Sequence, residues 1–216
     1  MIFTYSKILI LQILKYLGFK KINYNSSCII NFGSYTANQF FKQKLRKSNF
    51  YLEYGSGNST LLADKYNKRF ISVEIDRSFY KYIQKKIKNQ KSLIFKSFGI
   101  TGDYSTPVLF KFRKYFLRSK AINYSSLIFD FKFKKTRDLI LIDGRYRVLC
   151  ALKLHNFFLL KNKIPTIIVD DYINRDHYKI LEKYFLIKKI GRMAVLEKII
   201  PNDSKKLFLK YSLDCR

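Results

Sequence analysis

The chain has 216 residues, enough for one well-cored domain but cramped for two full ones. Hydrophobic residues make up 48% of it and aromatic residues 17%, which excludes wholesale disorder. The net charge of +28 indicates attraction to polyanions, but the same Lys-rich, Trp-free composition is typical of AT-rich coding, so charge alone does not identify a binding surface. Three cysteines without paired spacing exclude a disulfide framework and are typical of reduced thiols in a cytoplasmic protein.

A short apolar run, Ile8–Leu14, lies near the start of the chain. A secretory signal has its positive charge before such a run, whereas here Lys15, Lys20 and Lys21 follow it, and a membrane span needs about 18 apolar residues. We interpret residues 1–33 as an amphipathic helix with a connector, and residues 34–216 as a single domain. The helix either packs on that domain or rests on an anionic membrane through residues 1–20, and the sequence leaves both readings open.

Strand-like and helix-like segments alternate after residue 30. Five apolar runs predict parallel strands buried on both faces, namely Asn49–Glu53, Phe70–Glu74, Leu93–Phe95, Leu139–Ile142 and Ile164–Val169. Three further runs have no helix between them and predict antiparallel edge strands, namely Leu186–Ile190, Met193–Ile199 and Leu207–Leu213. The sequence therefore predicts a Rossmann-like α/β fold, with a mostly parallel, doubly wound sheet, antiparallel edge strands near the C-terminus and helices on both faces.

Polar residues collect where these strands end, which is where ligands bind in such sheets. The segment Glu53–Gly57 follows the first strand, and its two glycines allow a tight turn and close approach of the backbone to a ligand. A dinucleotide-binding fingerprint would have a third glycine where Thr60 stands, so the loop alone is a weak signal. Glu74 strengthens it, because this residue ends the second strand about 20 residues after Gly55, the offset at which a carboxylate accepts hydrogen bonds from ribose hydroxyls.

These motifs resemble those of the class I S-adenosylmethionine-dependent methyltransferases, which have an acidic residue before G-x-G at strand one and an acidic residue ending strand two. The resemblance extends to a branch of that superfamily with an LEYGSGxST loop, a T-G-[DE] turn, a DGRxRVACAL segment and a DDY strand end. The corresponding segments here are Leu52–Thr60, Thr101–Asp103, Asp143–Leu152 and Asp170–Tyr172. They occur in the same order and at the ends of the predicted strands.

The resemblance implies S-adenosylmethionine as the cofactor. The residues that it implies for cofactor binding are Glu53, Gly55, Gly57, Ser59, Glu74 and Asp103. In this interpretation the two glycines let the backbone approach the methionine part of the cofactor. Glu53 holds the loop and the cofactor's amino group, and Glu74 binds the ribose. Asp103 lies where such enzymes contact the adenine amine, although a plain turn residue is the alternative.

Three carboxylates end the predicted strands four and five, namely Asp143, Asp170 and Asp171. Together they are similar to the metal site of the catechol and sugar O-methyltransferases, in which a divalent cation such as Mg²⁺ lowers the pKa of a substrate hydroxyl. All three are therefore predicted metal ligands, and Asp143 is the predicted catalytic residue. The sequence departs from those enzymes by having Arg145 and Tyr146 where they have a second Asp or a basic Lys. Because arginine cannot act as a base, the alternative is that Arg145 or Arg147 pairs with these carboxylates and no metal binds.

The predicted function is enzymatic transfer of a methyl group from S-adenosylmethionine to a hydroxyl group of a small molecule or glycan. One alternative is a nucleic-acid methyltransferase, prompted by the charge of +28, but the three isolated prolines leave no [DNS]-P-P-[YFW] motif. The other is a non-catalytic, basic polyanion-binding protein on the same fold, since the base residue of the related enzymes is missing.

Overall fold

A seven-stranded sheet forms the centre of the described part of the chain. The computed structural model describes residues 10, 12–14, 29–130, 138–161 and 164–216. The strands are β1 (Tyr51–Tyr54), β2 (Phe70–Glu74), β3 (Leu93–Phe95), β4 (Leu139–Ile142), β5 (Thr166–Val169), β6 (Phe185–Ile190) and β7 (Met193–Ile199). Their order across the sheet is β3-β2-β1-β4-β5-β7-β6. Strands β1 to β5 are parallel, and β7 runs antiparallel to both β5 and β6.

Helices connect the parallel strands and cover the sheet. They are α1 (Tyr35–Lys47), α2 (Asn58–Lys65), α3 (Arg77–Gln84), α4 (Phe110–Ser125), α5 (Arg147–Phe158) and α6 (Phe208–Ser212). Short 3₁₀ helices occur at Gln90–Ser92, Asp103–Ser105, Ser126–Asp130, Asp176–Lys183 and Lys205–Leu207. Side chains cap two of the α-helices: Ser34 accepts the Ala37 N–H at the start of α1, and Asp76 accepts the N–H groups of the first turn of α3.

Both faces of the sheet are buried, because alternate residues of each strand point to opposite sides. In β4, Leu139 and Leu141 pack with α1, α2 and α3, whereas Ile140 and Ile142 pack with α4, α5 and α6. All four β4 side chains are at most 1% exposed. The predicted Rossmann-like sheet, with helices on both faces and antiparallel edge strands, is confirmed.

One predicted strand is wrong. The run Leu207–Leu213 forms the end of a 3₁₀ turn and helix α6 rather than a strand. In the helix, Tyr211 and Ser212 are buried, and α6 packs against α4 and α5 on one face of the sheet. A seven-residue apolar run is too short for its periodicity to separate a strand from a helix, and the packing decided here.

Most of the N-terminal segment lies outside the described residues, including the greater part of residues 1–20, so the choice between membrane contact and packing on the domain stays open. Residues 10 and 12–14 are helical. Ile30 and Phe32 are buried, and the Phe32 ring lies 4.8 Å from that of Phe41 on α1. Among the described residues, no helix combines the length and the apolar character needed to cross a bilayer.

The sheet has a switch point between β1 and β4. After β1 the chain adds β2 and β3 on one side, and then returns to the other side of β1 to form β4 and β5. The connections on the two sides therefore diverge, which leaves a crevice outside the carboxyl ends of β1 and β4. Ligands in sheets of this kind bind in that crevice.

Candidate active site

A pocket of about 540 Å³ lies at this switch point. The loops after all five parallel strands contribute to its wall, and helix α4 adds one side chain. The wall residues are Gly55, Ser56, Glu74, Ile75, Phe79, Tyr104, Ser105, Tyr124, Asp143, Gly144, Arg145, Arg147, Asp171, Arg175 and Tyr178. The volume is typical of sites for small molecules and cofactors, which span ~300–1,000 Å³.

The two glycines of the loop after β1 are there for different reasons. Gly55 has a φ of +91°, and a Cβ on it would lie 2.5 Å from the backbone of Gly144 in the loop after β4. The chain itself therefore requires glycine at this position, because the two loops cross in contact. Gly57 has an extended φ of 177°, and a Cβ there would meet nothing within 4 Å. Nothing in the described chain requires glycine at Gly57, which follows the wall residue Ser56 but is not itself part of the wall, so its contact with a cofactor stays a prediction.

The Glu53 side chain holds this loop in place through hydrogen bonds. Its carboxylate is completely buried and accepts hydrogen bonds from the hydroxyls of Tyr51 (2.9 Å), Ser72 (2.8 Å), Ser59 and Thr60. Thr60 stands where a dinucleotide-binding fingerprint has its third glycine, and its hydroxyl also accepts the backbone N–H of Gly57 at 2.9 Å. Burial raises the pKa of Glu53, and these hydroxyl groups oppose the rise. Glu53 and Ser59 lie beneath the pocket and do not appear among the described residues of its wall, so their contact with a cofactor stays a prediction.

Glu74 stands in the pocket wall and reaches back to the same loop. Its Oε1 accepts the backbone N–H groups of Ile75 and Asp76, both at 2.8 Å, which fixes the carboxylate. Its Oε2 accepts the N–H and hydroxyl of Ser56, at 3.1 and 2.8 Å. Burial raises the pKa of Glu74 to about 6, although the N–H of Asp76 and the hydroxyl of Ser56 act against it. The predicted partnership of glycine loop and strand-end carboxylate is thus present in one pocket.

The loop after β3 lines the pocket through the neighbours of Asp103. Asp103 itself is exposed, whereas Tyr104 and Ser105 belong to the wall. Both have positive φ angles, 53° and 60°, a strained conformation that occurs preferentially at functional sites. Arg145 donates from Nε to the Tyr104 carbonyl at 2.6 Å and so ties this loop to the loop after β4. The adenine contact of Asp103 stays a prediction.

Guanidinium groups pair with the carboxylates that end β4 and β5. Asp170 is fully buried, and Arg192 donates to both of its oxygens, at 2.9 and 2.6 Å. Arg147 lies 3.0 Å from Oδ1 of Asp143 and also donates to the Asp170 carbonyl at 2.7 Å. Withdrawal from water raises the pKa of Asp143 and Asp170 adds to the rise, while Arg147 lowers it. The side chain of Asp143 is still 34% exposed, so it is open to the pocket.

Asp171 is shared among three arginines. Its carboxylate oxygens lie 3.0 Å from Arg175, 3.1 Å from Arg192 and 3.6 Å from Arg147. The backbone of Asp171 is also strained, with a φ of 53°. The Asp171 side chain, in the turn after β5, is therefore surrounded by positively charged groups.

The three acidic residues do not fit the predicted divalent cation. Guanidinium groups pair with both oxygens of Asp170 and of Asp171 and with Oδ1 of Asp143, and within the described ranges no three His, Cys, Asp or Glu side chains form a group that could hold a metal ion. The arrangement matches the alternative in which arginines neutralise the carboxylates. Arg147 is one of the two arginines considered for that role, and Arg145 instead binds the Tyr104 carbonyl.

Two tyrosines of the pocket wall have buried hydroxyls without a partner among the described residues. Tyr124 and Tyr178 are at most 1% exposed and belong to the wall, and their hydroxyl oxygens have no hydrogen-bond partner among the described residues. A buried hydroxyl left without a partner costs ~1–3 kcal/mol, which a ligand with an acceptor group would recover. The sequence analysis missed both, because a tyrosine in a helix or turn gives no signal distinct from a core aromatic.

Neither a protein-family model nor a curated protein matches this sequence. A solved structure does match it: the crystal structure, at 1.80 Å resolution, of a methyltransferase-like protein from Silicibacter pomeroyi. The two sequences are 25% identical, the match covers 82% of this chain and 93% of the other, and the TM-score is 0.63. The fold is methyltransferase-like. This likeness supports methyl transfer in general terms and is silent on the acceptor.

Proposed function

We propose that the protein is an S-adenosylmethionine-dependent methyltransferase whose cofactor lies in the switch-point pocket. The observation that carries the proposal is the hydrogen-bonded contact of Glu74 with Ser56, which places a strand-end carboxylate and a glycine loop in one pocket. A ribose carries two hydroxyl donors, and a buried carboxylate is their usual acceptor. The similarity to a methyltransferase-like protein supports the same assignment.

The residues present fit this cofactor. The Ser56 hydroxyl on Oε2 of Glu74 can turn away and leave that oxygen to a ribose hydroxyl, while the two backbone N–H groups keep the carboxylate in place. The open space beside Gly57 leaves room for the methionine part. The hydroxyl of Tyr124 offers a hydrogen bond that no described residue takes.

Asp143 is the proposed catalytic residue. When bound, S-adenosylmethionine supplies an electrophilic methyl group on a positively charged sulfur. Asp143 lies in the wall between the glycine loop and the β5 turn, and it is the carboxylate that we propose accepts the proton of the acceptor hydroxyl. Its withdrawal from water raises its pKa and so strengthens it as a base, while Arg147 at 3.0 Å favours the ionised form that can take a proton.

The acceptor that we propose is a hydroxyl group of a small molecule or glycan. The walls enclose the pocket from five strand ends, and its volume of about 540 Å³ suits a cofactor with a compact acceptor beside it. The side chains at the β5 end, Arg175 and Tyr178, carry hydrogen-bond donors that suit oxygen-rich groups.

Calorimetric titration of S-adenosylmethionine and S-adenosylhomocysteine, with and without magnesium, tests the proposal. We expect micromolar binding, weakened at least about tenfold by Glu74→Ala because charged hydrogen bonds to the ribose are lost. The matched control is Glu197→Ala, an exposed glutamate of β7, which should bind as the wild type does. No binding of either nucleoside would refute the proposal.

The titrations with and without magnesium test the predicted metal site. Because the carboxylates are paired with arginines, we expect the affinity to be the same with and without the ion. A magnesium-dependent heat that Asp143→Ala abolishes would instead favour the metal-assisted reaction.

A further inference from the structure

The end of the pocket at β4 and β5 holds more positive than negative charge. The wall there has three guanidinium groups, those of Arg145, Arg147 and Arg175, against two carboxylates, those of Asp143 and Asp171, and the Arg192–Asp170 ion pair adjoins them. The residues outside the described ranges contain no Asp or Glu, so they add no further acidic partner. We infer that this end of the pocket is an oxyanion site. It would bind a carboxylate, phosphate or sulfate group of the methyl acceptor through Arg145, Arg175 and Tyr178, and the inference rests on the proposed function.

Arg145 is the least compensated of the four arginines. Its guanidinium binds the carbonyl of Tyr104, and among the described residues it forms no ion pair. A carbonyl leaves donors of the guanidinium unused and does not neutralise its charge. Burial lowers the pKa of Arg145, and the neighbouring Arg147 and Arg175 add to that effect. An anion in the pocket would relieve the repulsion among these three groups.

Arg175 belongs to the wall at the same end of the pocket. Its partner Asp171, 3.0 Å away, is shared with two other arginines, so the charge of Arg175 is only partly offset. The side chain is 40% exposed and belongs to the pocket wall. Arg175 can therefore reach a ligand without breaking its own ion pair, since a guanidinium offers five N–H donors.

Tyr178 supplies the independent observation that a ligand belongs here. The residue is fully buried, it is part of the wall, and its hydroxyl has no partner among the described residues. The guanidinium of Arg175 lies 5.8 Å from its ring centre. Burial raises the pKa of Tyr178, so the hydroxyl keeps its proton and can donate it to an oxyanion. A buried donor beside guanidinium groups whose charge is at most partly offset is an arrangement that recognises an anion.

The arrangement also provides a way to hold an acceptor without a cation. In the O-methyltransferases that the sequence resembles, a cation holds the acceptor. Here the carboxylates are neutralised from within the chain, and the surplus charge faces the pocket. An acceptor with its own negative group would be oriented by the arginines and needs no bridging ion.

A carboxylate in this pocket has two sources, the acceptor and the methionine part of the cofactor itself. Titration of inorganic phosphate into protein saturated with S-adenosylhomocysteine, at constant ionic strength, separates them. We expect one site per chain, about tenfold or more weaker in Arg145→Met and in Arg175→Met. Tyr178→Phe removes only one oxygen and should weaken it several-fold. The control Arg118→Met, an exposed arginine of α4, should bind as the wild type does.

Two outcomes would overturn the inference. Equal phosphate affinity in Arg145→Met and Arg118→Met would mean that the anion binds adventitiously to a protein of charge +28. Phosphate binding that S-adenosylhomocysteine abolishes, with weaker nucleoside binding in Arg145→Met but unchanged binding of methylthioadenosine, would assign the site to the carboxylate of the cofactor. If no variant binds the nucleoside, the proposed function fails, and phosphate titrated alone still reports on the guanidinium groups. Thermal unfolding checks that each variant is folded.

Discussion

At the β1–β2 end of the pocket, a glycine loop and one buried carboxylate provide the binding groups, whereas the β4–β5 end consists of charged side chains held in ion pairs. The first end is fixed by the backbone: the crossing of Gly55 over Gly144 and the two N–H bonds to Glu74. The second end depends on Arg192, which lies in the turn between β6 and β7 and donates to Asp170. An end held by the backbone has its geometry set for a single ligand, whereas the exchange of one side chain can change the charge of an end held by ion pairs.

The largest effect should follow from removing the anchor of the second end. In Arg192→Met, Asp170 would keep its charge in a site that is 0% exposed and would lose both hydrogen bonds. We expect a loss of about 3 kcal/mol in the free energy of unfolding, at the low end of the range for a broken buried pair because Arg192 is itself 39% exposed. Urea denaturation at pH 7 measures it.

The control for this prediction is a solvent-exposed ion pair with a similar distance between its charged atoms. Lys179 and Asp176 lie 2.7 Å apart but are 65% and 88% exposed, so Lys179→Met should leave the stability unchanged. The double variant Arg192→Met with Asp170→Asn should recover part of the loss, since the buried charge is then gone. A small loss in Arg192→Met alone would show that the second end does not depend on this pair.

The same difference decides what the sequence can predict. The glycine loop, Glu74 and the strand order around them are local features, because turn residues and a strand-end carboxylate follow each other along the chain. The acidic residues Asp143 and Asp170 were also placed correctly at the ends of their strands. Their chemistry was not predictable, because the partner of Asp170 is 22 residues away at a strand turn, and nothing in its own segment marks it.

The next prediction separates the two glycines of the first end. Gly55→Ala should cost about 2 kcal/mol of stability, since the new Cβ meets the Gly144 backbone and the φ of +91° disfavours any side chain. Gly57→Ala should leave the stability unchanged, because its Cβ points into open space, yet reduce the affinity for S-adenosylhomocysteine about tenfold or more. Urea denaturation and calorimetry of both variants provide the test. Unchanged affinity in Gly57→Ala would mean that the cofactor does not use that space.

The smallest effect is the pH dependence of cofactor binding, which tests Glu74 without changing the fold. Ribose hydroxyls donate to the ionised carboxylate, and the pKa of Glu74 in the free protein is raised to about 6 by burial. At pH 5 about one molecule in ten has Glu74 ionised, so the affinity for S-adenosylhomocysteine should be about tenfold weaker there than at pH 7.5. The sign is fixed: binding strengthens as the pH rises through 6, whereas the raised pKa of Glu74 makes the free protein lose stability as the pH rises from about 4.5, the ordinary carboxyl value, to about 6.

Glu74→Gln removes the titrating group and should flatten this profile between pH 5 and pH 7.5, whatever its absolute affinity. The profile should keep its shape in Asp143→Asn, because Asp143 belongs to the other end of the pocket and lies nearer the acceptor than the ribose in the proposed arrangement. If Asp143→Asn flattens the profile and Glu74→Gln does not, then the ionisation that matters to the nucleoside belongs to the ion-paired end. In that case the division of the pocket into a backbone-fixed cofactor end and a charged acceptor end is reversed.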